Sequence, residues 1–202
     1  MKDDVPIAVR GRPREFCVDD ALTAALRVFW SKGYEGASLT DLTEAMGITR
    51  PSLYAAFGNK EALFRKALDL YEREKLAYVG AALQASTARG VAERLLRGAL
   101  DMQVGSDPRG CLGVISSVAC GTEAESIKAE VLRRRASSDA ALLRRMEQAK
   151  RDGDLPDPFT AEGVVRYLGA VIQGLCIQAG SGVPEADLRT LVETTLALWP
   201  GR

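Results

Sequence analysis

The segment from residue 38 to residue 59 constrains the fold most, because it predicts two short helices joined by a tight turn. Ser38, with Asp41 three residues later, resembles a capping box that begins a helix, and Gly47 provides its end. Thr49 is a good N-cap for the second helix. Two helices of about two turns each with so short a connection are typical of a helix-turn-helix motif.

The remaining sequence predicts an all-α protein of about nine helices, because apolar residues recur at helical spacing along it. We divide the chain into a basic N-terminal arm at residues 1–16, a three-helix domain containing the motif at residues 17–62, and a larger helical domain at residues 63–202. The apolar stretch at residues 110–121 is compatible with a short strand or a short buried helix. We favour the helix, since no partner strand is evident.

Composition excludes several functional classes. The 202 residues are 47% apolar, but no apolar run reaches the ~20 residues that span a bilayer. The N-terminus has no secretory-signal pattern, so we expect a cytoplasmic protein without a membrane partner. The chain has no histidine and four widely spaced cysteines, which argues against a metal site, a cofactor or a nucleophile–base catalytic pair. The equal numbers of basic and acidic residues, 27 each, argue mildly against nucleic-acid binding as a whole-chain property.

The second helix of the motif has the composition of a helix that enters the major groove of DNA. Arg50 at its start is suited to a bidentate contact with guanine. The hydroxyl groups that follow can bond phosphate oxygens, while Leu53 and Phe57 face inward at i, i+4 spacing. Two other interpretations stay open on spacing alone, namely a structural helical hairpin and a helical adaptor that binds protein without DNA.

The stretch GYEGASLTDL from Gly33 to Leu42, followed by GITRPSLYAAFGNKEALF from Gly47 to Phe64, resembles the DNA-binding domain of the tetracycline-repressor (TetR) family. The resemblance covers about a quarter of the chain. It implies a transcriptional regulator, usually a repressor, that binds a double-stranded DNA operator. It also implies that the DNA contacts come from Thr40, Thr49, Arg50, Pro51, Ser52, Tyr54 and Lys60.

The basic arm offers a second DNA contact. Arg10, Arg12 and Arg14 lie in the extended segment RGRPR and could enter an A·T-rich minor groove, although a solvated tail explains them equally well. Between Arg10 and Lys60 there are seven basic and six acidic residues. We therefore expect DNA binding to depend on a few placed cations and to have a moderate salt dependence.

The resemblance further implies a homodimer formed by the last two helices. Both predicted helices have apolar residues on more than one side, which indicates burial on more than one side. The alternative is that these residues form the core of a single chain. The predicted interface residues are Val164, Leu168, Val171, Leu175, Leu188, Leu191, Thr195 and Leu198.

By the same resemblance, the middle helices enclose a pocket for a small, mainly apolar effector that releases the protein from DNA. Side chains of the core have the same pattern as side chains of such a pocket. The candidate lining residues are Met102, Cys111, Leu112, Ile115, Val118, Met146, Tyr167 and Gln173. An alternative regulator would sense oxidants or electrophiles through Cys111 and Cys120, with Arg109 lowering the pKa of the neighbouring thiol.

Overall fold

The structure, a computed structural model, describes residues 16–105, 107–118 and 124–200, and all regular elements in these ranges are helices. The prediction of an all-α fold is confirmed, with ten helices in the described ranges in place of about nine. The additional helix is α5, which is only six residues long. The helices are α1 (Val18–Gly36), α2 (Leu39–Met46), α3 (Arg50–Phe57), α4 (Lys60–Lys75), α5 (Ala77–Ala82), α6 (Ala88–Asp101), α7 (Leu112–Val118), α8 (Glu125–Arg151), α9 (Ala161–Gly180) and α10 (Glu185–Ala197).

Local capping explains why α2 and α3 begin and end where the sequence predicts. The Ser38 hydroxyl accepts a hydrogen bond from Asp41 N at 3.0 Å, and Asp41 Oδ2 accepts one from Ser38 N at 2.9 Å. Gly47 then adopts a left-handed conformation with φ 65°, which only glycine adopts without strain, and α2 ends there. Thr49 caps α3 by accepting a hydrogen bond from Ser52 N. These caps satisfy backbone donors that a short helix would otherwise leave free.

One core joins the helix-turn-helix to the middle of the chain. Phe29 and Phe64 meet edge to face with ring centroids 5.1 Å apart, and Trp30 meets Tyr71 in the same way at 4.9 Å. The buried Leu112 of α7 belongs to this cluster, as do side chains from the start of α8. The long helix α4 contributes to it along most of its length, so the predicted boundary at residues 62 and 63 falls within a continuous helix.

The second core lies between α6, α8, α9 and α10. The structure corrects most of the predicted dimer interface. Five of the eight predicted interface side chains are buried inside a single chain and do not face outward: Val164, Leu168, Leu175, Leu188 and Thr195. Val171 and Leu191 pack partly against the same core, whereas Leu198 is 72% exposed. The apolar periodicity predicted burial correctly but did not distinguish the chain's own core from a partner's surface.

The segment at residues 110–121 forms the buried helix α7 over its described part, as predicted. Among the described residues, no helix is both long enough and apolar enough to cross a membrane.

Candidate nucleic-acid interface and internal cavity

The N-terminal end of α3 faces solvent. Thr49, Arg50 and Pro51 are exposed, and the Tyr54 side chain one turn later is 47% exposed. On the opposite face of this helix, Leu53 and Phe57 are buried in the core. The two buried side chains hold the helix in position, while its first turn projects outward with no other part of the described chain covering it.

Arg50 is held in place by the preceding helix. Its Nη2 atom donates a hydrogen bond to Thr40 Oγ1 at 2.9 Å, which joins the first turns of α2 and α3. Thr49 Oγ1 and Ser52 Oγ lie 3.0 Å apart on the same edge. Four of the residues that the resemblance singles out therefore lie together on one polar edge, with a guanidinium group already oriented beside hydroxyl groups.

Lys60 adds a cation at the start of α4. Its Nζ lies 4.6 Å from the centroid of the Tyr34 ring, in a cation–π contact. Partial burial lowers the pKa of Lys60 below its ordinary value, and Glu35 opposes that effect. Asn59 caps the helix by accepting a hydrogen bond from Ala62 N at 2.7 Å. The predicted minor-groove residues Arg10, Arg12 and Arg14 lie outside the described residues.

The carboxylate that caps α2 is neutralised internally. Asp41 accepts a hydrogen bond from Lys32 Nζ at 2.6 Å in addition to the two from Ser38. The Lys32 hydrogen bond, followed by those from Ser38, holds the pKa of Asp41 well below its usual range. The capping carboxylate therefore remains paired, and it repels an approaching phosphate less than a free carboxylate would.

An internal cavity of about 220 Å³ lies between α4, α5, α6, α7, α8 and α9. Of the predicted lining residues, the structure places Met102, Cys111 and Gln173 in its wall. The others are elsewhere: Leu112 and Met146 are buried in the two cores, Ile115 packs against Gly33, and Tyr167 is 43% exposed on the outer face of α9. The side chain of Val118 lies outside the described residues, as does Cys120.

Sequence reasoning missed most of the cavity wall. The missed residues come mainly from α4, α5, α8 and α9, and they include Tyr71, Tyr78, Leu142, Val165, Ile172 and Cys176. Their helical spacing has the same pattern as core residues, so periodicity alone could not have separated them from the core. The two tyrosines were the available signal, since a hydroxyl group on an otherwise apolar face requires a partner or a cavity.

Polar groups enter the cavity wall at two places. At one side, Arg134 of α8 forms ion pairs with Glu72 at 2.9 Å, Asp69 at 2.6 Å and Glu130 at 2.7 Å. Two of these carboxylates belong to α4, so ion pairs join α8 to α4, the helix that begins with Lys60.

At the other side of the cavity, the Cys176 thiol, the Tyr71 hydroxyl and two backbone N–H groups lower the pKa of Cys111 to about 6. Arg109, which the sequence suggested as a contributor, is not among the largest causes of this shift, and its Nη2 atom donates to the carbonyl of Val183 at 2.6 Å.

A capped helix whose exposed first turn projects from a rigid helical domain defines a helix-turn-helix regulator of transcription. Residues 21–67 match the sequence model described as bacterial regulatory proteins, tetR family. The HTH-type transcriptional repressor ComR of Escherichia coli is 34% identical over 194 residues, which cover 95% of this chain and 92% of ComR. The chain therefore belongs to the TetR family, and it is a DNA-binding transcriptional regulator.

Two further relatives are similar to parts or all of the chain. The HTH-type transcriptional repressor BdcR of Escherichia coli is 46% identical over 63 residues, covering 31% of this chain and 32% of BdcR. A solved structure of a cysteine mutant of the TetR family transcriptional regulator CifR, complexed with 26-base-pair double-strand operator DNA, is 41% identical with a TM-score of 0.86. That likeness covers 94% of this chain and all of the CifR chain, 100%.

Proposed function

We propose that this protein is a repressor that binds operator DNA as a homodimer and is released when a small, mainly apolar molecule enters the internal cavity. The observation that carries the proposal is the exposed first turn of α3, with Arg50 oriented by its hydrogen bond to Thr40. This edge has the dimensions and chemistry of a helix that enters the major groove. The likeness to CifR in complex with operator DNA supports the same interpretation.

The proposed DNA contacts divide into two kinds. Arg50 reads a guanine edge, because it is the only long cationic side chain in α3. The hydroxyl groups of Thr40, Thr49, Ser52 and Tyr54 bond phosphate oxygens, as does the ammonium group of Lys60. Pro51 fits the first turn of α3, because the backbone donor that it lacks has no partner within the helix at that position. The arginines at positions 10, 12 and 14 follow the adjacent minor groove.

The proposed dimer uses the outer face of α9, which is not covered by the chain's own core. Tyr167, Gly174 and Ile177 share this face at i, i+7 and i+10 spacing, and the Ile177 side chain is 55% exposed. Leu198, 72% exposed just after α10, extends the apolar surface. A two-fold dimer would present two α3 helices to successive major grooves, about 34 Å apart.

Release requires that the cavity and the DNA-binding edge communicate. Helix α4 provides the connection, because Tyr71 and Glu72 line the cavity while Lys60 lies at the other end of the same helix. An effector that prefers an α4 position incompatible with operator spacing would shift the population of dimers away from DNA. A 100-fold loss of operator affinity needs about 2.7 kcal/mol of coupling free energy.

The test is operator binding by the Arg50→Ala variant. The probe is a fluorescent duplex from the region upstream of the chain's own gene, and the readout is anisotropy. We expect the loss of Arg50 to weaken binding about tenfold or more, since a bidentate base contact is worth about 1–3 kcal/mol. Arg144→Ala is the matched control, because Arg144 is an exposed arginine of α8 far along the chain from the motif.

Far-ultraviolet circular dichroism verifies that both variants remain folded. Equal affinities of the two variants would contradict the assignment of Arg50. The absence of binding by the unaltered protein at any salt concentration would favour the helical adaptor instead.

A further inference from the structure

The cavity contains a thiol pair that the proposed function does not yet explain. Cys111 lies immediately before α7, and Cys176 lies in α9; both line the cavity, and the Cys176 thiol is close enough to Cys111 to stabilise a thiolate there. The pKa of Cys111 is lowered to about 6, whereas the pKa of Cys176 is raised by the adjacent Cys111 and by burial. Within the pair, these opposite shifts favour the thiolate on Cys111 and the proton on Cys176.

An unused proton donor lies in the same wall. The Tyr71 side chain is only 1% exposed and lines the cavity, yet its hydroxyl has no hydrogen-bond partner of regular geometry. It is nevertheless close enough to Cys111 to stabilise a thiolate there. A buried hydroxyl without a partner costs free energy, so its position is explained if a bound molecule supplies an acceptor oxygen.

The cavity combines a nucleophile, a proton donor and an apolar wall. Apolar side chains such as Leu95, Leu142 and Ile172 make up most of the lining. A cavity of about 150 Å³ is known to hold benzene, so the 220 Å³ observed here is large enough for a compound with one six-membered ring. Such a compound needs an electrophilic carbon for Cys111 and an oxygen for Tyr71.

We propose that the effector is a small, apolar α,β-unsaturated carbonyl compound that Cys111 captures covalently inside the cavity. The inference rests on the proposed function, since it names the chemical class of the effector for the same site. The thiolate of Cys111 attacks the β-carbon, a carbon–sulfur bond forms, and the electron pair of the carbon–carbon double bond moves to give an enolate. Tyr71 donates a proton to the enolate oxygen and regains one from solvent, and the enol then tautomerises to the ketone. No oxidant or reductant is needed.

The residue before Cys111 connects this event to the DNA-binding domain. Gly110 N donates to Gln103 Oε1 in the cavity wall at 2.6 Å, and Gly110 O accepts from Trp30 Nε1 of α1 at 3.2 Å. Gly110 has φ 97°, and a methyl group added there would lie 3.4 Å from the carbonyl oxygen of Cys176. This segment is packed at ordinary van der Waals distance, so we expect a ring attached to the adjoining Cys111 to shift Gly110 and with it the hydrogen bond to Trp30.

The experiment compares cyclohex-2-enone with cyclohexanone, which has the same ring and oxygen but no electrophilic β-carbon. Intact-protein mass spectrometry and peptide mapping locate the adduct, and anisotropy with the upstream duplex measures release. We expect one adduct per chain on Cys111 and at least a tenfold loss of operator affinity with the enone, and neither effect with cyclohexanone. Cys111→Ser abolishes both effects, whereas Cys17→Ser, which removes an exposed thiol outside the cavity, retains them.

Tyr71→Phe provides a second variant that keeps the ring in the aromatic core. Because Tyr71→Phe removes no hydrogen bond of regular geometry, we expect this variant to fold normally and to label at least tenfold more slowly. Labelling of Cys17 alone, or labelling of Cys111 without release, overturns the inference. Release by both compounds, in Cys111→Ser as well, also overturns it while leaving the proposed function intact. Failure of the untreated protein to bind the duplex contradicts the proposed function itself.

Discussion

Gly98 provides a quantitative test of the packing beside the cavity. It lies inside α6, directly against the ring of Tyr78, which lines the cavity. A methyl group added to Gly98 would lie 2.6 Å from Tyr78 Cε2 and 2.7 Å from Cγ. Carbon atoms pack at about 3.5–4.0 Å, so in Gly98→Ala the tyrosine ring must move by about 1 Å. The substitution therefore has two opposing effects of comparable size, a gain in helix propensity and a steric clash.

The expected sign follows from their magnitudes. Replacing glycine by alanine in a helix interior stabilises the folded state by about 1 kcal/mol. Forcing a methyl group into occupied space costs about 1–3 kcal/mol. We expect Gly98→Ala to lower the free energy of unfolding by about 1 kcal/mol, which corresponds to a decrease in Tm of about 2–4 °C for a chain of this size. The displaced ring also reduces the volume available to an effector.

Gly80→Ala is the matched control. Gly80 lies in α5 with nothing within 4 Å of an added methyl group, so the same substitution there raises the free energy of unfolding. Urea unfolding followed by circular dichroism, at one protein concentration, measures both variants. In a Tyr78→Ala background, Gly98→Ala should become stabilising, because the clash is gone. If Gly98→Ala stabilised the unaltered chain as Gly80→Ala does, the steric reasoning would be refuted.

Three further predictions concern the motif and the dimer. Ser38→Ala removes the cap of α2 and should lower the free energy of unfolding by about 1 kcal/mol in urea titrations. Hydrogen bonds from Lys32 and then Ser38 depress the pKa of Asp41, so its stabilising contribution is present above about pH 4 and is lost as the pH falls further. Asp41→Asn should remove that part of the dependence of the free energy of unfolding on pH. An unchanged dependence below about pH 4 would contradict this prediction. Ile177→Asp, on the outer face of α9, should shift sedimentation toward monomer and weaken operator binding, whereas an unchanged dimer would exclude this face.

The helix-turn-helix could be predicted almost completely because its signals are local. The cap of α2 is made by Ser38 and Asp41, three residues apart, and the cap of α3 by Thr49 and Ser52 at the same spacing. Each signal lies within one turn of chain, and both helices begin, and α2 ends, where these signals predict. The orientation of Arg50 toward Thr40 was not predicted, since that contact depends on the angle between the two helices.

The cavity and the dimer face could be predicted only in part because their signals are not local. Met102, Cys111 and Gln173 were placed correctly in the cavity wall, whereas Leu112 and Met146 have the same apolar character and lie in the cores. Periodicity indicates that a side chain is buried, but it does not indicate which residues bury it. The contacts of α9 with α6 and α8 decide which of its apolar stripes remains available to a partner.

The sequence by itself determined the helical class, the positions of α2 and α3, and the polar edge that begins at Arg50, because each depends on interactions within a turn or two of chain. Only the tertiary structure decided that Cys111 meets Cys176 and Tyr71, three residues from three separate helical regions. Their meeting depends on how α4, α7 and α9 pack, and packing is a property of the whole chain. The polar edge of α3 is thus a local feature of the sequence, and the cavity with its thiol pair is a product of the fold.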